Sequence, residues 1–282
     1  MNDFDLRKYL AENRLLKEDE KDDLKKSYDK GVSSFRADLA KYISDPKVKA
    51  VLDAGLDDGD EKDDQLPFTR TKVSVKGLKP TQSEIGFDQS VAGNLTDEYG
   101  SLAGILAGTP NVGGPIVTYA GKFIIDGHHR WSTVFAANPK AKMDTLDIAP
   151  KPNFNPLDIL KAVHSSIAVD RNKVPSADPK GKNILDGSMS YEDVLAKVKE
   201  LFAETDKGEK VWKSFFEKQG VPYSPEAVAK LLFKNLNTIV KGGFVKGAPG
   251  RKDMPQTDAD KTKSIDKLEP LAKGEINITE PF

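Results

Sequence analysis

An apolar run, Phe123-Ile124-Ile125, breaks at Asp126-Gly127 and gives way to Trp131, Val134 and Phe135 at helical spacing. Strand, tight turn and helix in that order constrain any fold this chain adopts, because a buried strand has to empty directly into a helix start. The turn is Asp126-Gly127-His128-His129-Arg130, and it holds two of the only three histidines in 282 residues. A helix start leaves backbone N–H groups without partners and carries a positive dipole end. With an acid, a flexible glycine, two imidazoles and a guanidinium beside those groups, the turn is the natural place for anion chemistry.

The flanking sequence predicts an α+β fold. Thr71 to Val75 alternates as a half-buried strand ending near Gly77. Lys79-Pro80-Thr81-Gln82 is expected to turn into a short helix carrying Glu84 and Ile85, and a loop or helical stretch follows from Leu95 to Leu106. Pro115 to Tyr119, a tight Ala120-Gly121 turn and Lys122 to Ile125 make a hairpin. The helix from about His129 stops at Asn138-Pro139, and Met143 to Ile148 forms another strand. Asn155-Pro156 caps a helix to about Val169. Further on, Ser190 with Asp193 resembles a capping box, followed by Val194, Val198 and Leu201. Ser224-Pro225-Glu226 starts a last helix with Val228, Leu231, Leu232 and Leu236 on its apolar face.

Four segments result: a charged helical stretch over residues 1–65, a small mixed-sheet domain over 66–170, a helical region over 171–241 and an extended tail over 242–282. The first contains stripes such as Phe35, Leu39, Tyr42 and Ile43, and it closes on an acidic run from Asp57 to Asp64. That run fails as a calcium loop, because Ala54 stands where Gly59 needs an Asp five residues earlier; it is a solvated linker. Met254, Ile276 and Ile278 are the tail's candidate docking residues.

Composition excludes several function classes. Net charge is −1, so the chain as a whole has no polycation signature. The absence of cysteine removes disulfides, thiolate zinc sites and Cys nucleophiles, and fits a reducing compartment. No apolar stretch is long enough for a membrane span, and the charged start lacks a signal peptide's apolar core. A soluble, cytoplasmic protein with no membrane partner is expected, or one packaged from the cytoplasm into a virion.

The stretch from Phe123 to Trp131 resembles the signature turn of the ParB/sulfiredoxin-like superfamily. Its Asp-Gly-His-His-Arg form is similar to the branch containing the archaeal ADP-dependent free-serine kinase and phage ParB-like nucleases. Val73 to Ile85, with Pro80, Gln82 and Glu84, resembles the strand and Pro-x-Gln-x-Glu entry of the same domain. The likeness spans about Phe68 to Ile148. It implies a nucleotide-phosphate site binding ATP, ADP or another nucleotide with Mg²⁺. In the kinase branch a Glu of the first motif serves with the Asp, and the matching residue here is Glu84. Asp126 and Glu84 are therefore the candidates for acid–base and metal work, with His129 a third catalytic candidate. Gly127, His128, His129 and Arg130 are the candidate phosphate holders: glycine for close approach, imidazoles as donors, arginine as a planar fork.

The implied reaction is hydrolysis of the nucleotide or phosphotransfer to a small hydroxyl compound. One rival is a nuclease acting on a DNA phosphate, favoured by a basic patch beside Arg130. Another is a non-catalytic virion or assembly protein. Cysteine-sulfinate reduction is excluded for want of a cysteine, and no convincing helix-turn-helix is visible between Ser190 and Val240. Residues 4–16 resemble an amphipathic opening found in proteins of tailed phages, which implies docking onto other phage proteins.

Plainer roles compete at each position. His128 and His129 could cap the helix and bond a buried carbonyl, and Glu84 could answer the helix dipole alone. A metal site on the two histidines lacks an evident third ligand. His164, near Ile159 and Val163, is a satisfied structural histidine, and Trp131 and Phe135 are core. Gly247 to Lys252 lacks the Walker spacing and is expected to be a flexible basic tail.

Overall fold

In a computed structural model, the structure describes residues 68–96, 101–170 and 180–251, the side chains of 165–170 excepted. The expected N-terminal helices, acidic linker, Met254, Ile276 and Ile278 lie outside the described residues. The protein is mixed α+β. Its sheet has the order β1-β5-β3-β4-β2: β1 (Phe68–Ser74), β2 (Lys79–Pro80), β3 (Ile116–Tyr119), β4 (Phe123–Asp126) and β5 (Lys142–Ile148). β1 and β5 run antiparallel with Phe68 opposite Ile148 and Ser74 opposite Lys142. β3 lies parallel to β5, and β2 parallel to β4.

The expected hairpin joins β3 to β4. Ala120 (φ 55°) and Gly121 (φ 64°) both have left-handed backbones, the signature of a two-residue turn whose twist matches the strands. Asp147 fixes it, its Oδ1 accepting the Gly121 N–H and the Thr118 hydroxyl, each at 2.7 Å. The ladder then slips: Thr118 faces Ile124 but Val117 faces Asp126. Ile125 is the extra residue, a bulge that bends the strand just before the turn.

Among the described residues, seven α-helices surround the sheet: α1 (Phe87–Ser90), α2 (Ser101–Ala107), α3 (His128–Ala137), α4 (Pro156–Asp170), α5 (Tyr191–Glu204), α6 (Lys207–Lys218) and α7 (Pro225–Gly242). One sheet face gives Ile116, Ile124 and Met143 to a continuous core shared with Trp131, Val134 and Phe135 of α3 and with α5 to α7. Asn235 of α7 ties the two parts, its Nδ2 donating to the Ala136 carbonyl at 2.7 Å. The alternate residues Val117, Tyr119, Ile125, Leu146 and Ile148 are buried on the other face. There α4 lies against β4, bringing buried Ile159, Leu160 and Val163. The capping box at Ser190 and Asp193 is formed, as is the Asn155 cap of α4. Helix α6, built on Trp212 and Phe216, has no counterpart among the sequence expectations.

Two expectations need correction. Glu84 and Ile85 are not helical; α1 begins at Phe87. Their backbone bonds sideways: Ser83 N–H to Pro249 O, Ile85 N–H to Asn183 Oδ1, and Ile184 N–H to Ile85 O. Nor is the segment after α7 a loose tail as far as Arg251. Val245 N–H donates to Pro80 O at 2.9 Å, and the chain runs on against residues 80–84. No helix among the described residues is long and apolar enough to cross a membrane.

Candidate functional site

Gly127 makes the turn possible. Its φ of +90° is one that side-chain-bearing residues rarely adopt, and an added Cβ would lie 2.4 Å from Ile116 Cγ2. The Trp131 N–H returns to the Gly127 carbonyl at 2.9 Å, so α3 starts immediately. At its mouth Arg130 Nη2 meets Asp126 Oδ2 at 2.9 Å, and both side chains are about 30 % exposed. Arg130 is thus held in place by a charge-assisted bond while part of its fork faces solvent.

Behind this pair lie all three histidines. His128 is buried, and its Nε2 accepts the Thr81 N–H at 3.2 Å. The Thr81 hydroxyl also touches Nε2, at 3.3 Å, but its proton goes to the Ile124 carbonyl. Nε2 is therefore bare and His128 neutral, with its proton on Nδ1. Burial, foremost, pushes its pKa well below the ordinary value, and nearby His164, His129 and Arg251 add to the effect. His129 is held at both nitrogens. Ser90 Oγ donates to Gly86 O, so it accepts from His129 Nδ1 at 3.2 Å; Nε2 then receives Arg251 Nη1 at 2.6 Å. His164 sits under the bulge, where Nε2 donates to the Ile125 carbonyl at 2.7 Å and lies 4.0 Å from Asp126 Oδ1. Its Nδ1 is buried without a hydrogen-bond partner, so the expectation of a fully satisfied structural histidine holds for one nitrogen only.

The structure thus brings Asp126, Gly127 and Arg130 together at the mouth and turns His128 inward. That placement does not fit His128 as a donor to phosphate; its Nε2 instead holds the N–H of Thr81, the residue after β2. The signal was in the sequence, since His128, Ser132 and Phe135 share one helical face and all are buried. Glu84 joins the cluster indirectly: its Oε2 accepts the Arg251 backbone N–H at 2.8 Å, and the same residue's guanidinium reaches His129. Asp126 and Glu84 therefore answer to different arginines. Thr81, Ser90 and Arg251 are the residues that sequence reasoning missed. Arginine's rarity was the available hint for Arg251, because a chain rich in lysine uses the planar fork where geometry demands it.

No group of three His, Asp or Glu side chains suited to a metal ion occurs among the described residues. Mg²⁺ asks less of a protein, commonly one or two carboxylates with substrate phosphates and water. Partly exposed Asp126, with one oxygen on Arg130, fits that role.

The chain matches no protein-family model, no curated protein and no solved structure. Fold and site together define an α+β protein with a glycine-opened strand-to-helix turn over a cluster of imidazoles.

Proposed function

We propose that the turn from Asp126 to Arg130 binds the terminal phosphate of a nucleoside di- or triphosphate and promotes its transfer to a hydroxyl. The observation that carries this reading is Arg130: a partly exposed guanidinium in the first turn of α3, pinned by Asp126 at the end of β4. The likeness of the turn to the ParB/sulfiredoxin-like signature supports it, as does the mixed sheet.

Arg130 holds phosphate oxygens through the face not used by Asp126, and the N–H groups opening α3 add dipole and hydrogen bonds. Asp126 orients the acceptor hydroxyl and takes its proton as the new O–P bond forms. The bridging P–O bond breaks, and its electron pair leaves with the nucleotide. His164, through the Ile125 carbonyl, fixes the strand end that aims Asp126. The neutral imidazoles of His128 and His129 set the turn's geometry without adding charge. Mg²⁺, when bound, neutralises charge on the transferring phosphate. Such catalysis is mostly positioning and electrostatics, which this residue set supplies.

Isothermal titration of ATP, ADP and CTP with Mg²⁺ tests the reading. The native chain binds at least one, Arg130→Ala weakens that binding at least tenfold, and Asp126→Asn keeps binding while losing turnover. Absence of heat with all three nucleotides overturns it.

A further inference from the structure

A second feature adjoins the turn. An open groove of about 970 Å³ runs along the β1 edge of the sheet, walled by residues 108–115 and floored by β5. Its charged lining is one-sided: Arg70, Lys72, Lys140 and Lys142 against Asp144 alone, in a chain whose net charge is −1. All four cations are exposed, and Lys72 lies 3.6 Å from Asp144.

Register puts three of these cations in a row. Arg70, Lys72 and Ser74 alternate on one face of β1, opposite Leu146, Asp144 and Lys142. Positions two apart on a strand repeat at about 7 Å. The third step of the row is occupied by Lys142 from across the ladder, and Lys140 precedes β5. A hydrophobic edge would invite strand pairing; this edge, all but two of its residues exposed and charged at alternate steps, is built for a ligand with regularly spaced negative charges. The groove also leads to the turn, because a Cβ on its wall residue Gly114 would lie 3.7 Å from Arg130 Nη1.

We propose that this groove binds a single-stranded nucleic acid through its phosphates and presents it to the Arg130 turn. The proposal deepens the phosphoryl-transfer reading by naming a strand as the molecule delivered to that site. The row is one residue wide and lies along one edge, so it tracks one backbone rather than the two of a duplex. Thr71, Thr109 and Asn111 offer hydrogen bonds beside it. Nothing in the lining provides an aromatic stacking platform, so the grip is on phosphate and the binding sequence-tolerant.

The test is fluorescence anisotropy with a labelled oligothymidylate, using the full chain and a triple variant, Arg70→Ala with Lys72→Ala and Lys142→Ala. These side chains are exposed, so the variant folds. The native chain binds, the triple variant binds at least tenfold more weakly, and its slope of log affinity on log salt falls by about 2, at about 0.7 per lost contact. Asp144→Asn tightens binding. ATP titration is unchanged in the triple variant, which separates the two proposals. Oligonucleotide binding without nucleotide binding leaves the groove standing and removes the phosphoryl-transfer reading. No oligonucleotide binding, equal affinity in the triple variant, or equal use of the three residues by a duplex overturns the groove.

Discussion

The turn before β4 and the turn after it use the same backbone device, and the resemblance ends there. Ala120-Gly121 and Gly127 all sit at positive φ. Around Gly121 there is room, the nearest atom to an added Cβ being Asp147 Oδ2 at 3.9 Å. Around Gly127 there is none, with Ile116 Cγ2 at 2.4 Å and Arg130 Nη2 at 3.1 Å. The first turn reverses the chain and is satisfied by one carboxylate. The second packs its backbone against β3 and starts a helix beside a guanidinium, with imidazoles beneath it. Between these two turns the difference is close approach, not the left-handed backbone.

The largest effect that tests this contrast is Gly127→Ala. Strain at positive φ and collision with Ile116 together should cost about 4 kcal/mol or more. Gly121→Ala meets only the strain, about 1–2 kcal/mol. Urea unfolding gives both values, and equal losses would break the comparison.

How far the sequence foretold these elements follows from the range of the interactions that make them. The hairpin, α3, the Asn155 cap and the Ser190–Asp193 box are local, and turn residues with short periodicity were enough to place them. Glu84 was expected on a helix because Pro80 and the polar residues after it resemble a helix start. Asn183, a hundred residues on from Ser83, holds that backbone sideways instead. Arg251 reaches His129 across 122 residues, and no local pattern signals such a contact. At the turn, the residue types pointed to the place and the helical face shared with Ser132 and Phe135 turned His128 inward; its partner, the Thr81 N–H, comes from 47 residues away.

A middle-sized effect is acid sensitivity. His128 has its pKa well below the ordinary 6.5, so between the two values the unfolded chain binds the proton and the folded chain does not. Stability is then full above about pH 6.5 and falls on acidification, by up to about 1.4 kcal/mol per pH unit. His128→Gln keeps an acceptor for the Thr81 N–H but has no such proton. Urea midpoints at pH 7.5 and 5.5 should therefore drop further in the native chain than in the variant. Equal drops would remove His128 as the acid-labile member of the Gly127 end.

The smallest effect belongs to the roomy turn and runs the other way. Ala120 holds φ at 55° without glycine's freedom or the local hydrogen bonding by which Asn tolerates that region. It is exposed, and Asn-Gly is the preferred pair for a two-residue turn with both centres left-handed. Ala120→Asn should stabilise the protein by about 0.5 kcal/mol, at the modest end of gains from turn chemistry. Thermal unfolding checks it, with nucleotide binding unchanged because the substitution lies at the far end of β4 from Arg130. A loss of stability would mean that this turn is as tightly specified as the one at Gly127, and that spare room does not mark the structural turn.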